Sequence, residues 1–173
     1  MKTIYFVRHG ETENNAANLY NTLETPLSSV GYEQAKVVAE RCAHLPIEAV
    51  ISSTLVRAQE TAGTIIERTR HAVESSELFR ERVLPKALRG TSRSLPEAVE
   101  YERTWWNALD EHTTDLSDRE TFNDIRDRVG KALGYLEARS EIDILVVTHG
   151  FFLHFLIAYV IFGAKLTGAE MSV

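Results

Sequence analysis

Cysteine is almost absent from this chain: Cys42 stands alone among 173 residues, so no disulfide can close within it. A reducing compartment is therefore expected, with Cys42 a small core residue of the helix that carries it. Proline and glycine are scarce, at four and nine residues, and no segment is repetitive or of low complexity, which excludes fibrous and disordered classes. Excess positive charge is missing as well. Lys and Arg number 19 against 25 Asp and Glu, for a formal charge of −6, whereas a general nucleic-acid binder needs a net basic face to release phosphate counterions. Metal-ligand spacing is lacking too: there is no His-x-His, no His-Glu-x-x-His and no carboxylate cluster beside His9 or His149. Neither a metal nor another cofactor is expected.

The first strand begins almost at once, leaving no room for the charged, apolar and cleavage regions of a secretion signal, and a cytoplasmic location is expected. One stretch challenges that. Ile144 to Ala164 runs for 21 residues without Asp, Glu, Lys or Arg, about the length of a bilayer span. Its first four residues form a strand-like aliphatic run, Thr148-His149-Gly150 reads as a turn, and His154 would lie in lipid. Phe151 to Phe162 alone is too short to cross, so the stretch is read as strand, turn and buried helix, with no membrane contact.

Short apolar runs alternate with helical patterns along the chain. Strands are expected near Ile4 to Val7, Ala49 to Ile51 and Ile144 to Val147, with a weaker one at Ala72 to Val73. That alternation predicts an α/β fold over residues 1–173: a three-layer α/β/α sandwich on a mainly parallel sheet. A serine in Pro26-Leu27-Ser28-Ser29 caps a helix through Gln34 and Ala39, and Ser52-Ser53 lead into one with Leu55, Ala58, Ala62, Ile65 and Ile66 on a single face. Between Arg80 and Leu95 the pattern dissolves into a long loop. Ser94-Leu95-Pro96-Glu97 and Ser117-Asp118-Arg119-Glu120 have the capping-box form and are expected to open helices over Leu95 to His112 and Thr121 to Glu137. Together, roughly residues 80–140 are expected to form a loop and helical insertion over the C-terminal rim of the sheet.

Two histidines, His9 and His149, each leave an apolar strand and are followed by glycine, which delivers both imidazoles to the rim where open α/β sheets bind ligands. Arg57 falls in the first turn of the helix after the second strand, where free N–H groups and the helix dipole also favour an anion. With Arg8 it could hold the nonbridging oxygens of a phosphoryl group, since the guanidinium fork suits that geometry. Read singly, Arg57 is more often a surface helix arginine. Arg8, if buried after Tyr5-Phe6-Val7, would demand a partner.

Arg8-His9-Gly10-Glu11-Thr12, Asn15, Pro26-Leu27-Ser28, Gly31, Gln34-Ala35, Ser53-x-Leu55-x-Arg57-Ala58-x-x-Thr61-Ala62 and Val147-Thr148-His149-Gly150 resemble the histidine phosphatase superfamily, the phosphoglycerate mutase-like fold. The matches span nearly the whole chain in the family's order. The resemblance implies that His9 is phosphorylated during turnover, with Arg8, Arg57 and a protonated His149 around the phosphate and Asn15 adding a neutral hydrogen bond. It also implies a carboxylate proton donor in a Leu-x-Glu segment. Glu81 in Leu78-Phe79-Arg80-Glu81-Arg82 matches best, and Glu77 is the fallback. Glu120-Thr121 and Arg128-Val129 resemble a helix of the family and are read as structural.

Departures from the family bear on the substrate. Many relatives follow the proton donor with a glycine-rich acidic turn, where this chain has Val83-Leu84-Pro85-Lys86-Ala87-Leu88-Arg89-Gly90, and Asn14 stands where mutases tend to have tryptophan. The reading is a metal-independent phosphomonoesterase for a small phosphorylated metabolite or a phosphoprotein. Mutase-type phosphotransfer and noncatalytic binding of a phosphorylated ligand are its alternatives. Arg80, Arg82, Lys86, Arg89 and Arg93 form either a polyanion lip or a solvated loop, and Trp105-Trp106 is expected to anchor the insertion.

Overall fold

The computed structural model describes residues 1–106, 112, 115 and 118–171. Among these residues four strands form one parallel sheet: β1 (Thr3–Arg8), β2 (Ala49–Ser52), β3 (Val73–Ser75) and β4 (Asp143–Thr148), in the order β1-β4-β2-β3. The last strand of the chain thus lies between the first two. Its residues Ile144 to Val147 have no exposed surface, which is why they read as an unbroken apolar run rather than an alternating one. The register pairs Arg8 with Thr148 and Ser52 with Val147. Residues just past the carboxyl ends of β1, β4 and β2 therefore meet on one rim.

Helices cover both faces. On one, α2 (Ser29–Cys42) and α3 (Val56–Thr69) lay Ala39, Cys42, Ala58, Ala62 and Ile65 against Val50, Leu145 and Val147. On the other, α5 (Phe122–Ala138) and α6 (Gly150–Phe162) cover Ile51, Ile144 and Val146. Ile125, Val129, Ala132 and Leu136 recur at helical spacing along the buried face of α5. Each such large apolar side chain contributes roughly 1.5–3 kcal/mol on burial. Short helices complete the order: α1 (Glu13–Ala16), α4 (Pro96–Trp105) and α7 (Gly168–Met171). No helix among the described residues is long and apolar enough to cross a membrane, and Ile144 to Ala164 divides into β4, a turn and α6 as expected.

Three expectations about the middle of the chain are corrected. Ser94 does not cap α4. Leu95 does, without a side-chain bond, because Pro96 at the first turn holds the preceding residue extended at ψ 141°. That helix ends at Trp105 instead of His112, residues 107–111 lying outside the described ones. The second capping box sits four residues later than expected: Thr121 caps α5 and Asp124 answers it. Ser117 lies outside the described residues, and Glu120 is committed elsewhere. Trp105 does anchor this segment. Its indole N–H donates to Glu120 O at 2.8 Å, and its ring packs edge-on against Trp106, Phe151 and Phe155.

The turn after β1 presses against the start of α2 with no room for side chains. A Cβ on Gly31 would meet Glu11 O at 2.0 Å, and one on Gly10 would meet Gly31 O at 2.4 Å. Gly31→Ala is expected to cost about 3 kcal/mol, as overpacking does, and to lower Tm by ~6–12 °C for a chain of this size. A melt within 2 °C of wild type would show that the turn can shift.

Candidate active site

His9 leaves the end of β1 with its main-chain N–H bound to Thr148 O at 3.0 Å. The following loop is held by motif side chains. Gly10 N–H donates to Thr61 Oγ1 at 3.1 Å, Glu11 N–H to Gln34 Oε1 at 2.8 Å, and Asn15 N–H to Thr12 Oγ1 at 3.0 Å. Glu60 accepts Leu27 N–H at 2.7 Å, and Ser28 caps α2 through Gly31 N–H. These residues serve the loop's main chain, and the loop aims the imidazole.

The orientation of that imidazole is determined by chemistry. His9 Nδ1 lies 2.6 Å from Gly10 O, and a carbonyl only accepts, so Nδ1 carries the proton. Nε2 is left with its lone pair, facing the Arg57 Nε–H at 3.3 Å. His9 is 6% exposed. Burial, and then the charges of Arg57 and Arg8, lower its pKa to about 3 against the hydrogen bond to Gly10, so the ring is neutral across the physiological range.

Arg57 is the second residue of α3 and 2% exposed, its Nη1 donating to Thr22 O at 3.0 Å. Burial lowers its pKa to about 10, opposed by the charge of Glu81. Arg8 is exposed on the cavity wall rather than buried, and its guanidinium lies 3.3 Å from where a Gly150 Cβ would stand. A side chain at residue 150 would push Arg8 aside.

His149 is fully buried beneath the rim, its ring centroid 5.0 Å from that of His9. Nε2 lies 2.7 Å from Ser53 Oγ, and Nδ1 is buried without a hydrogen-bond partner. Burial, with Arg57, His9, Arg128 and Arg8 nearby, holds its pKa well below 6.5. The protonated His149 expected above is therefore neutral in the free protein. It is buried among cations, which the sequence around residue 149 does not display. Ser53 was missed as a partner, although its place after β2 in the Ser53-x-Leu55-x-Arg57 run was available as a signal.

Glu81 reaches the same rim from the loop after the 3₁₀ turn Glu77–Phe79. Its carboxylate accepts the N–H groups of Phe151 at 3.3 Å and Phe152 at 3.1 Å, at the start of α6, whose cap residue His149 makes no side-chain cap bond. A carboxylate there complements the helix dipole. Glu77 is exposed, pairs with Arg80 and does not line the cavity.

A cavity of about 280 Å³ opens between these groups, lined by Arg8, His9, Asn15, Arg57 and Glu81. Asn15 Oδ1 is buried there without a hydrogen-bond partner. Arg80, Arg82, Arg89 and Arg93 line its outer part, and Lys86 does not. Arg82 is buried, paired with Glu102 at 2.5 Å and stacked on Phe151 and Trp105, and Arg89 donates to Leu84 O and Asp118 O. Much of the cationic loop therefore holds its own wall together, and neither a free polyanion lip nor a solvated loop describes it. Among the described residues no three His, Cys, Asp or Glu side chains converge as metal ligands would.

Residues 4–171 match the model of the histidine phosphatase superfamily, branch 1. The chain belongs to that superfamily. It is 32% identical over 168 residues to a probable phosphoglycerate mutase of Citrobacter koseri, covering 93% of this chain and 75% of the relative. The alpha-ribazole phosphatase of Shigella flexneri superposes with a TM-score of 0.79 at 26% identity, over 98% of this chain and 83% of the other. A mycobacterial glucosyl-3-phosphoglycerate phosphatase does so at 0.77 and 25% identity, over 98% and 82%. Phosphatases of the superfamily thus share this fold, and a probable mutase is among the sequence relatives.

One consequence for stability follows from the two neutral histidines. Each binds a proton more readily when unfolded, so the unfolded state gains protons as the pH falls below about 6.5, and stability is lost progressively toward the folded pKa of His9 near 3. The urea midpoint is expected to fall across that window, and less steeply in His9→Gln. Equal slopes for the two proteins would place the acid sensitivity elsewhere.

Proposed function

We propose that this histidine phosphatase is a metal-independent phosphomonoesterase acting by two in-line transfers through phospho-His9. The observation carrying the reading is the tautomer of His9: Nδ1–H is tied to Gly10 O, and Nε2 offers its lone pair beside Arg57. In the first transfer, Nε2 attacks phosphorus and the ester P–O bond breaks as Glu81 gives a proton to the leaving oxygen. In the second, Glu81 takes a proton from water, the water oxygen attacks, and the P–N bond breaks to release phosphate and restore Nε2. Arg8 and Arg57 stabilise the transferring oxygens, and Asn15 adds a neutral hydrogen bond. His149 acts as a neutral ring whose partnerless Nδ1 gains a phosphoryl oxygen to bond.

A cavity of about 280 Å³ suits a small phosphorylated metabolite better than a folded phosphoprotein surface. Mutase-type phosphotransfer uses the same two half-reactions with an alcohol in place of water, and the phosphoglycerate mutase among the sequence relatives favours it as a second reading. Noncatalytic binding is disfavoured because an unprotonated Nε2 and a carboxylate at the cavity serve no purpose in binding alone. Rapid quench with labelled substrate is expected to trap an acid-labile, base-stable adduct, with turnover unchanged by chelator. Activity that is lost to chelator and restored by Zn or Mg would point instead to a metallohydrolase.

A further inference from the structure

We propose that Glu120 and Arg128 are positioning residues that clamp the main chain on either side of Glu81 and so set where its carboxyl group meets the leaving oxygen. The inference rests on the proton-donor reading of Glu81 given above.

Glu81 lies on a loop with no regular structure, between the 3₁₀ turn that ends at Phe79 and the next at Lys86. A loop left to itself could not hold a carboxylate within the fraction of an ångström that proton transfer requires. Arg128, on α5, supplies what the loop lacks. Its Nη1 donates to Leu78 O at 3.0 Å and Arg80 O at 2.8 Å, while Nε and Nη2 fork onto Glu120 at 2.7 and 2.9 Å. Glu120, 1% exposed, completes the grip from the far side. Its carboxylate accepts Val83 N–H at 3.0 Å, and its own N–H donates to Val83 O at 2.9 Å.

Main-chain groups at 78, 80 and 83 are therefore all bound to one buried ion pair, and Glu81 sits between them. From below, Thr148 Oγ1, the residue before His149, donates to Phe79 O at 2.6 Å. The Arg128 guanidinium also lies 5.2 Å from the ring of Phe152, whose N–H the Glu81 carboxylate accepts. The clamp thus joins loop, β4 and α6, the three elements whose relative placement defines the site.

A buried ion pair is a weak source of stability, because desolvation offsets much of the attraction. What this one provides is geometry. Only a guanidinium has the planar fork to bind a carboxylate through two nitrogens and two carbonyls through a third. Arg128→Lys keeps the charge and loses the fork, so it tests position rather than electrostatics.

In Arg128→Lys, kcat/KM for an alkyl phosphate is expected to fall about 10²-fold, as for a misplaced catalytic group, while the nitrophenol burst from p-nitrophenyl phosphate stays near wild type. The double variant with Glu81→Gln should lose no more on the alkyl phosphate than Glu81→Gln alone. Equal losses on both substrates, or additive losses in the double variant, would overturn the clamp. If Arg128→Lys does not fold, Glu120→Gln, which keeps an acceptor for Val83 N–H, is judged by the same criteria. Glu81→Gln measured alongside separates the two ideas. A selective Glu81→Gln beside a nonselective clamp variant overturns the clamp alone, whereas a nonselective Glu81→Gln overturns the proton donor and the clamp with it.

Discussion

His9→Ala is expected to lose turnover by about 10⁴-fold or more, the scale seen when a covalent nucleophile is removed, with the fold retained. The loss should fall on the first transfer, since His9 Nε2 is the ring nitrogen that faces Arg57 at the cavity. His149 cannot substitute. Its ring is buried below the cavity and its Nε2 is engaged by Ser53. The fold should survive because the His9 side chain supports little of it: the loop is held by Thr61, Gln34, Thr12 and Glu60 acting on main-chain groups, and Arg57 keeps its bond to Thr22 O. A variant with matching far-UV and thermal behaviour, no nitrophenol burst and no trapped adduct would agree with the assignment. Near-normal activity, or a phosphoryl adduct on another residue, would end it.

Glu81→Gln should lose activity in proportion to how poor the leaving group is. An alkoxide needs a proton as the P–O bond breaks, and a nitrophenolate hardly does. Losing general acid assistance typically costs ~10²- to 10⁴-fold, so hydrolysis of an alkyl phosphate is expected to fall by that amount while the p-nitrophenyl phosphate burst changes little. Glutamine preserves shape and keeps one acceptor for the N–H groups at the start of α6. Glu77→Gln serves as the control, since Glu77 is exposed and outside the cavity, and it should leave both rates unchanged. Equal loss on the two substrates in Glu81→Gln would reduce that residue to shaping the wall.

Residues at the ends of regular elements were readable in advance. An apolar run that stops at Arg8-His9-Gly10, another that stops at Thr148-His149-Gly150, and an arginine in the first turn of the helix after Ser52-Ser53 can converge only if the strands lie parallel and adjacent. The alternation of strand and helix patterns requires that they do. Choosing Glu81 over Glu77 rested on family resemblance. The two are four residues apart in one irregular segment, and nothing local distinguishes them.

Helix ends and partners were harder to read. Apolar spacing shows that Phe122–Ala138 has a buried face, yet only the folded chain shows that Ile125, Val129, Ala132 and Leu136 share one cluster with Ile144 and Val146. Capping residues misled for a related reason. A serine followed three residues later by glutamate is a local possibility that Pro96 overrode at one site, while at the other Thr121 and Asp124 formed the box and Glu120 was drawn into the ion pair with Arg128.

By itself, then, the sequence determined the layers, the strands that deliver His9 and His149, and the helix start that presents Arg57, because these depend on periodicity and on residues adjacent in the chain. Tertiary structure alone decided that both histidines are neutral, that Ser53 holds His149, that Arg8 is open to the cavity, and that Arg128 and Glu120 grip the loop of Glu81. Protonation depends on burial and on charges brought from distant segments, and a clamp joining residue 128 to residues 78 and 80 exists only once α5 has packed beside them.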